Sequence, residues 1–196
     1  MARRPNDWYP TPAWATEVLM QRLDNDDEHE YLTGVLEPCA GKGDIVKVLE
    51  KHFFNVWTVD IDPEMAKFNR PGYHRTEDTA SPDYWSTPAT IPYVITNPPF
   101  SKAQEIVSLA YQKTSRVLAC LLRLSYLEPT EARGEWLSIY PPTNLIVLPR
   151  ISFTGDGKTD SVTCAWVVWD KVGALKNQPP IEIVPKQALE ALKEAA

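Results

Sequence analysis

The chain has 196 residues, enough for one hydrophobic core and short for two, so we expect a single domain over residues 1–196. Hydrophobic residues make up 43% and charged residues 23% of the sequence, which is close to globular averages and excludes a fibrous, collagen-like or wholly disordered chain. The net charge of -6 argues against a protein that holds nucleic acid through a general positive field, although a local basic groove is compatible with it.

The sequence predicts neither a membrane segment nor a metal site. No run approaches the roughly 20 consecutive apolar residues of a membrane span, and no apolar signal core follows the first residues, so we expect a cytoplasmic protein. The histidines are scattered and the cysteines lack Cys-x-x-Cys spacing. We therefore expect three reduced thiols, at Cys39, Cys120 and Cys164.

Helical and strand-like patterns alternate along the chain. Apolar residues at helical spacing predict helices over 13–23, 44–52 and 102–113, and the alanine-rich end predicts another over 185–196. Short apolar runs predict strands over 34–36, 55–59, 93–96, 116–122, 144–148 and 162–169, with irregular segments over 71–92 and 152–161. Helices between short strands indicate an α/β fold with a mostly parallel, twisted sheet and helices on both faces.

Three local features accompany these elements. Thr11 is a candidate N-cap of the first helix, and Asp62 before Pro63 is typical of a second N-cap. Trp166 and Trp169 are three residues apart in a strand-like run, so we expect them to face opposite sides of the sheet.

A glycine pair after the first predicted strand indicates a ligand-binding loop. Gly41 and Gly43 open a helix, where glycine allows a tight turn and close approach of a ligand. Val46 stands where a dinucleotide-binding fingerprint requires a small residue, which disfavours a diphosphate. Asp60 ends the second strand, where a carboxylate accepts both hydroxyls of a ribose. The pattern favours a nucleoside cofactor, with a plain glycine turn beside an acidic loop as the alternative.

Three motifs resemble those of a known enzyme family. Residues 35–43 (Val-Leu-Glu-Pro-Cys-Ala-Gly-Lys-Gly), 59–63 (Val-Asp-Ile-Asp-Pro) and 95–100 (Ile-Thr-Asn-Pro-Pro-Phe) are similar, in order and spacing, to motifs of the S-adenosylmethionine-dependent amino-methyltransferases that act on adenine N6. The Tyr-Pro-Thr-Pro segment at 9–12 also resembles a segment of that family. The resemblance implies a Rossmann-like class I methyltransferase fold and S-adenosylmethionine as the cofactor.

The resemblance also implies roles for individual residues around the cofactor. It places Glu37 and the backbone of Ala40 and Gly41, in the loop completed by Gly43, at the methionine moiety, with Thr11 approaching the same end. It places Asp60 at the ribose. Asp78 is then the expected acceptor for the adenine amino group of the cofactor, with Glu77 and Asp83 as alternatives.

The Asn-Pro-Pro-Phe motif predicts the catalytic loop, formed by Asn97, Pro98, Pro99 and Phe100. The exocyclic amine of adenine is a poor nucleophile because its lone pair is delocalised into the ring. The Asn97 side-chain carbonyl and the Pro98 backbone carbonyl are expected to accept its two hydrogens, and Phe100 is expected to stack on the base. Cys39 lies in the cofactor loop, so the cysteine chemistry of cytosine ring methylation is disfavoured. A rigid turn without catalytic function is the structural alternative.

Further substrate contacts are expected after the sixth strand. There the resemblance places Phe153 against the target base, with a position in the core as the alternative. Arg150 and Lys158 suit phosphates, with a solvated side chain as the alternative for Lys158. Only residues 124–143 and 152–161 are spare for target recognition, so site selection is expected to be short, weak or supplied by a specificity partner.

DNA is the favoured substrate because three segments together resemble small DNA adenine methyltransferases of bacteria and their viruses. These segments are the Glu-Pro-Cys-Ala-Gly loop, the Thr-Pro segment and the Arg-x-x-Phe-x-Gly sequence. RNA adenine-N6 methyltransferases and protein glutamine-N5 methyltransferases share the catalytic motif and remain alternatives. A partner subunit that keeps the fold without activity is the non-enzymatic alternative.

Overall fold

The computed structural model describes residues 10–23, 32–151 and 162–188. These residues form an eight-stranded sheet in the order β3-β2-β1-β4-β5-β7-β6-β8. The strands are β1 (Leu32–Glu37), β2 (Phe53–Asp60), β3 (His74–Thr76), β4 (Ile91–Thr96), β5 (Thr114–Arg123), β6 (Asn144–Val147), β7 (Cys164–Asp170) and β8 (Ile181–Ile183). Within this sheet β7 is antiparallel to β5 and β6, and the other pairings are parallel, which confirms the predicted mostly parallel α/β sheet.

Four α-helices lie wholly within the described part of the chain: α1 (Ala13–Met20), α2 (Val46–Leu49), α3 (Ala103–Lys113) and α4 (Glu131–Ile139). Residues 186–188 are also helical and fall within the helix predicted over 185–196, the rest of which lies outside the described residues. The prediction was too long for α1 and for α2, which is a single turn, whereas α3 lies where it was expected. Short 3-10 helices cover Pro63–Phe68, Tyr84–Ser86 and Leu124–Leu127. The prediction missed α4, β3 and β8. None of the described helices has the length and apolar character that a membrane crossing requires.

The hydrophobic core has two layers, one on each face of the sheet. Along β5, Val117, Ala119 and Leu121 pack on the face that carries α1 and α2. The alternate residues Leu118, Cys120 and Leu122 pack on the face that carries α3. This alternation follows from the two-residue period of a strand. It explains why each strand of a sheet covered on both faces is a continuous apolar run in the sequence.

The two tryptophans of β7 confirm the predicted alternation. Trp166 belongs to the α1 face and Trp169 to the α3 face, and both are buried. The Trp166 indole N–H donates to the Ala15 carbonyl at 2.6 Å, which attaches α1 to the centre of the sheet. The polar end of each buried tryptophan is satisfied, since the Trp169 N–H donates to the Tyr140 carbonyl at 2.9 Å.

The two predicted helix caps have different outcomes. Asp62 caps the 3-10 helix that begins at Pro63, because its Oδ1 accepts from the Glu64 N–H at 2.9 Å. Thr11 does not cap α1: Pro12 holds the N-cap position, and no side chain caps the helix. The Thr11 hydroxyl has a different partner, described below.

The strand order creates a crevice beside β1. The chain proceeds outward from β1 to β3 and then returns to place β4 on the other side of β1. The connections that follow β1 and β4 therefore run in opposite directions. This leaves a gap between the carboxyl ends of the two strands. Ligands of open α/β sheets bind at such a position.

Candidate active site

A cavity of about 630 Å³ lies at the carboxyl ends of β1, β2 and β4. Its wall comes from the glycine loop after β1, the turn after β2, residues 78–80, the loop after β4 and Thr11. Among the residues predicted for the site, those that line the cavity are Thr11, Ala40, Gly41, Asp60, Asp78, Asn97 and Pro99. The fold thus brings together segments that are far apart in the sequence.

The glycine loop after β1 has both of its glycines in the left-handed region of the backbone. Gly41 has a φ of 51° and Gly43 a φ of 76°, values that residues with a side chain rarely adopt. A Cβ on Gly43 would lie 3.4 Å from both Asn69 Oδ1 and the Phe68 carbonyl oxygen, so the loop also packs closely against the turn after β2. Both glycines are therefore required by backbone geometry.

Asp60 joins the glycine loop to the end of β2. Its Oδ2 accepts from the Gly41 N–H at 2.8 Å, and its Oδ1 accepts from the Asp62 N–H at 2.9 Å. Each carboxylate oxygen has a second lone pair, so the side chain can hold the loop and still accept two hydroxyl groups at the cavity wall. This arrangement suits the predicted contact with a ribose.

Asn69 is a site residue that the sequence analysis missed. Its side-chain N–H2 donates to the Gly41 carbonyl at 3.0 Å and to the Met65 carbonyl at 2.8 Å, and the residue is buried. Gly41 and Met65 both line the cavity, from two different loops. Asn69 directly follows the 3-10 helix Pro63–Phe68, and a single asparagine there carries no sequence signal for this role, because its partners are backbone atoms.

Glu37 lies beneath the cavity and is fully buried. Its Oε1 accepts from the Cys39 N–H at 2.9 Å and from the Thr96 hydroxyl at 2.5 Å, whereas Oε2 is buried without a hydrogen-bond partner among the described residues. Burial raises the pKa of the Glu37 carboxyl to about 8. A buried carboxyl oxygen without a partner fits a cationic donor, such as the ammonium group of a methionine moiety, whose charge would favour the ionised form of Glu37.

Cys39 is on the cavity wall but is not equipped as a nucleophile. Burial raises its pKa, and the neighbouring Glu37 carboxyl acts in the same direction. Its sulfur lies 3.9 Å from the Thr79 hydroxyl. The thiol is therefore neutral at physiological pH, which agrees with the expectation that cysteine chemistry is disfavoured in this protein.

Asn97 follows β4 and is oriented by Thr11. The Asn97 side-chain N–H2 donates to the Thr11 hydroxyl at 3.0 Å, which determines the rotation of the amide. Both residues line the cavity, together with Pro99. Pro98 is buried and does not line it. The contact explains why Thr11, although distant in the sequence, belongs to the site.

Phe100 lies between two lining residues, Pro99 and Ser101, without lining the cavity itself. It is half-buried, and the Arg123 guanidinium carbon lies 4.1 Å from the centroid of its ring. Arg123 is the last residue of β5, the strand that pairs with β4. No motif in the sequence connects these two residues.

The segment that carries Asp78 is attached to the site by its neighbour. The Thr79 hydroxyl donates to the Pro38 carbonyl at 3.0 Å, and the Trp85 indole N–H donates to the Thr79 carbonyl at 2.8 Å. Asp78 then lines the cavity, with its Oδ1 accepting from the Ala80 N–H at 2.9 Å. The predicted alternatives, Glu77 and Asp83, do not line it.

The residues expected to contact the substrate after β6 are not among the described residues that line the cavity. Arg150 is exposed and does not line it, and Phe153 and Lys158 lie outside the described residues. Residues 124–143, expected to be spare, instead form a 3-10 helix and α4. Trp136 of α4 packs against Trp169, with ring centroids 5.7 Å apart. Within the described ranges, no group of three or more His, Cys, Asp or Glu side chains could hold a metal ion.

Comparison with known proteins identifies the class of fold. No protein-family model matches the sequence, and no curated protein matches it. Among solved structures, a candidate RNA methyltransferase from Pyrococcus horikoshii has a TM-score of 0.65 and 17% identity, over 87% of this chain and 91% of that chain. A type I restriction-modification methyltransferase subunit from Streptococcus thermophilus has a TM-score of 0.67 and 14% identity, over 95% of this chain and 52% of that chain.

A third structure, a candidate class I S-adenosylmethionine-dependent methyltransferase from Listeria monocytogenes, has a TM-score of 0.63 and 11% identity, over 94% of this chain and 69% of that chain. The chain thus spans about half the length of the restriction-modification subunit and most of the Pyrococcus protein. The predicted Rossmann-like class I methyltransferase fold is confirmed.

Proposed function

We propose that the protein is an S-adenosylmethionine-dependent methyltransferase that transfers a methyl group to the N6 amine of adenine in DNA. One observation supports this proposal above the others: the glycine loop, Asp60 and Asn97 line the same cavity of about 630 Å³. The first two are groups that bind a nucleoside, and the third is an acceptor for an amine.

The residues present fit S-adenosylmethionine. The unsatisfied Glu37 Oε2 and the backbone of the loop around Ala40 and Gly41 would hold the methionine moiety. Asp60 would accept the ribose hydroxyls and Asp78 the adenine amino group. When bound, this cofactor supplies a methyl group activated by the sulfonium, which needs no metal ion.

The catalytic loop would activate the substrate amine without a strong base. Asn97 Oδ1 and the Pro98 carbonyl accept the two N6 hydrogens, which draws the nitrogen lone pair out of the ring. Thr11 keeps the Asn97 amide in the required rotation through its 3.0 Å hydrogen bond. Phe100 stacks on the base, which must leave a duplex to reach the cavity.

DNA is supported by the motif resemblance and by the fold shared with a restriction-modification methyltransferase subunit. Arg150, Phe153 and Lys158 are the proposed substrate contacts outside the cavity. Because α4 occupies part of the segment expected to be spare, few residues are left for reading a sequence. We therefore expect a short recognition sequence or a separate specificity partner.

The test is a labelled-methyl transfer assay that offers duplex DNA, single-stranded DNA, structured RNA and a protein extract side by side. Label on adenine N6 of DNA, absent with Asn97→Ala, is the expected result. Label only on RNA would favour the activity named for the Pyrococcus protein, and label only on glutamine would favour the protein methyltransferases. Either outcome would overturn the DNA assignment and leave the cofactor site standing.

A further inference from the structure

Among the described residues, the Arg123 side chain contacts an aromatic ring beside the proposed catalytic loop. Its guanidinium carbon is 4.1 Å from the centroid of Phe100, well within the distance of a cation–π interaction. Arg123 ends β5, and β5 pairs in parallel with β4, whose end leads into Asn97. The cation therefore lies at the carboxyl edge of the sheet, on the same side as the cavity.

No acidic group neutralises this cation among the described residues. Arg123 makes no ion pair and no side-chain hydrogen bond there, whereas the nearby Lys102 pairs with Glu105 at 3.4 Å and Arg22 pairs with Glu182 at 2.6 Å. In a chain with a net charge of -6, an arginine that has no carboxylate partner within the described ranges suits an anion.

We propose that Arg123 binds a backbone phosphate next to the target nucleotide while it is stacked on Phe100. A guanidinium that lies over an aromatic ring keeps its N–H donors in the guanidinium plane, where they match two oxygens of a phosphate. The ring limits the motion of the long side chain, so less rotamer entropy is lost when the phosphate binds. The inference rests on the proposed function and specifies its substrate class as a nucleic acid, because a glutamine side chain offers no such anion.

The test uses three variants of the full chain. Arg123→Gln removes the charge, and Arg123→Lys keeps it but loses the planar donors. Arg116→Gln is the matched control, because Arg116 also contacts a ring, that of Tyr93 at 5.7 Å, from the opposite end of the same strand. Binding of a DNA oligonucleotide is titrated at several salt concentrations, and S-adenosylmethionine affinity and methyl transfer are measured on the same samples.

We expect Arg123→Gln to weaken DNA binding at least about tenfold at low salt and to reduce the log-log salt slope by about 0.7 to 0.9, the value for one phosphate contact. Arg123→Lys should keep the slope while losing part of the affinity. Arg116→Gln should match the wild type in both. S-adenosylmethionine affinity should be the same in all three variants, which shows that the cofactor site is intact.

If the wild type transfers methyl groups to DNA and Arg123→Gln leaves the salt slope unchanged, the inference is overturned. Arg123 would then only hold the Phe100 ring in position. A changed slope without methyl transfer to any nucleic acid would support the phosphate contact and overturn the proposed function. The two failures are therefore distinguishable, since binding is measured independently of turnover.

Discussion

Asp60 combines two tasks in one side chain, because its carboxylate holds the Gly41 N–H at 2.8 Å and faces the cavity in which a ribose would lie. We expect Asp60→Ala to raise the dissociation constant of S-adenosylmethionine by at least about tenfold, since hydrogen bonds to a charged group contribute about 1.5 to 3 kcal/mol each. Calorimetric titration measures this. Asp83→Ala is the control, because Asp83 is exposed and outside the cavity. Equal affinities for Asp60→Ala and the wild type would remove the ribose assignment.

A substitution of Asn97 is expected to affect turnover and not cofactor binding. Asn97→Ala should keep the affinity for S-adenosylmethionine and lose at least about a hundredfold in turnover, as expected when one preorganised acceptor of the transition state is removed. Thr11→Val removes the hydroxyl that accepts from the Asn97 amide, so we expect a smaller loss of turnover in the same direction. Steady-state kinetics with saturating cofactor measure both. Near-normal turnover of Asn97→Ala would show that the catalytic loop lies elsewhere.

Glu37 makes stability depend on pH. Its pKa is raised by burial to about 8 from an ordinary value of 4.5, so between these pH values the folded chain binds one proton more than the unfolded chain. The free energy of unfolding therefore falls as the pH rises from 4.5 to 8, by up to about 5 kcal/mol for this group.

Glu37→Gln removes the titrating group and keeps a similar shape. We expect its urea midpoint to decrease less than that of the wild type between pH 5 and pH 8, because the glutamine has no proton to lose. Urea unfolding at the two pH values gives the comparison. Parallel curves for the two proteins would show that Glu37 does not titrate in this range.

At the scale of the secondary-structure elements, the cavity depends on contacts between loops. Asn69 connects the glycine loop after β1 to the turn after β2 by donating to Gly41 and Met65, and these are the two loops that would enclose the cofactor. We expect Asn69→Ala to raise the dissociation constant for S-adenosylmethionine several-fold and to leave turnover at saturating cofactor nearly unchanged.

The control for this prediction is Asn55→Ala. Asn55 also donates to a backbone carbonyl, that of Thr33 at 3.4 Å, but it lies in β2 away from the cavity. Cofactor titration and kinetics on both variants separate an effect on binding from an effect on catalysis. Equal cofactor affinity of the two variants would show that the loops hold their positions without Asn69.

For the whole molecule, we expect the cofactor to stabilise the fold, because its cavity is formed by segments from both sides of β1. At about a hundredfold excess over its dissociation constant, a ligand that binds the folded state alone adds about 2.7 kcal/mol. For a chain of this size that corresponds to an increase in melting temperature of about 5 to 10 °C. Thermal unfolding with and without S-adenosylmethionine measures the shift, which should be much smaller in Asp60→Ala. The absence of a shift at saturating cofactor would contradict the proposed site.

Much of the central fold and of the cofactor loop could be predicted from the sequence, because their signals are local. The cores of β1, β4, β5 and β7 are apolar runs buried on both faces, and β2 is an apolar run that exposes Phe54 and Trp57. Gly41 and Gly43, which have a positive φ, stand in one short motif. Asp60 is the last residue of β2, and the Asn-Pro-Pro-Phe motif begins directly after β4. These features need no information about distant parts of the chain.

The missed elements lack such local signals. β3 has no buried side chain. It forms because it pairs in parallel with the edge of β2, over residues 58–60 and 74–76. β8 is similarly an edge strand, with Ile181 and Ile183 exposed. Helix α4 has no buried residue and is held by its aromatic contacts instead. Their stability comes from pairing and packing with elements already in place.

The sequence by itself determined the class of fold, the position of the glycine loop and the candidate catalytic motif, because each depends on neighbouring residues. The tertiary structure alone decided which side chains meet at the site: Asn69 with Gly41, Thr11 with Asn97, and Arg123 with Phe100. Each pair joins segments separated by at least one strand or helix, and its partners are backbone carbonyls, a hydroxyl or a ring face. Contacts of this kind arise from strand order and register, which place the carboxyl ends of β1, β2, β4 and β5 at one edge of the sheet.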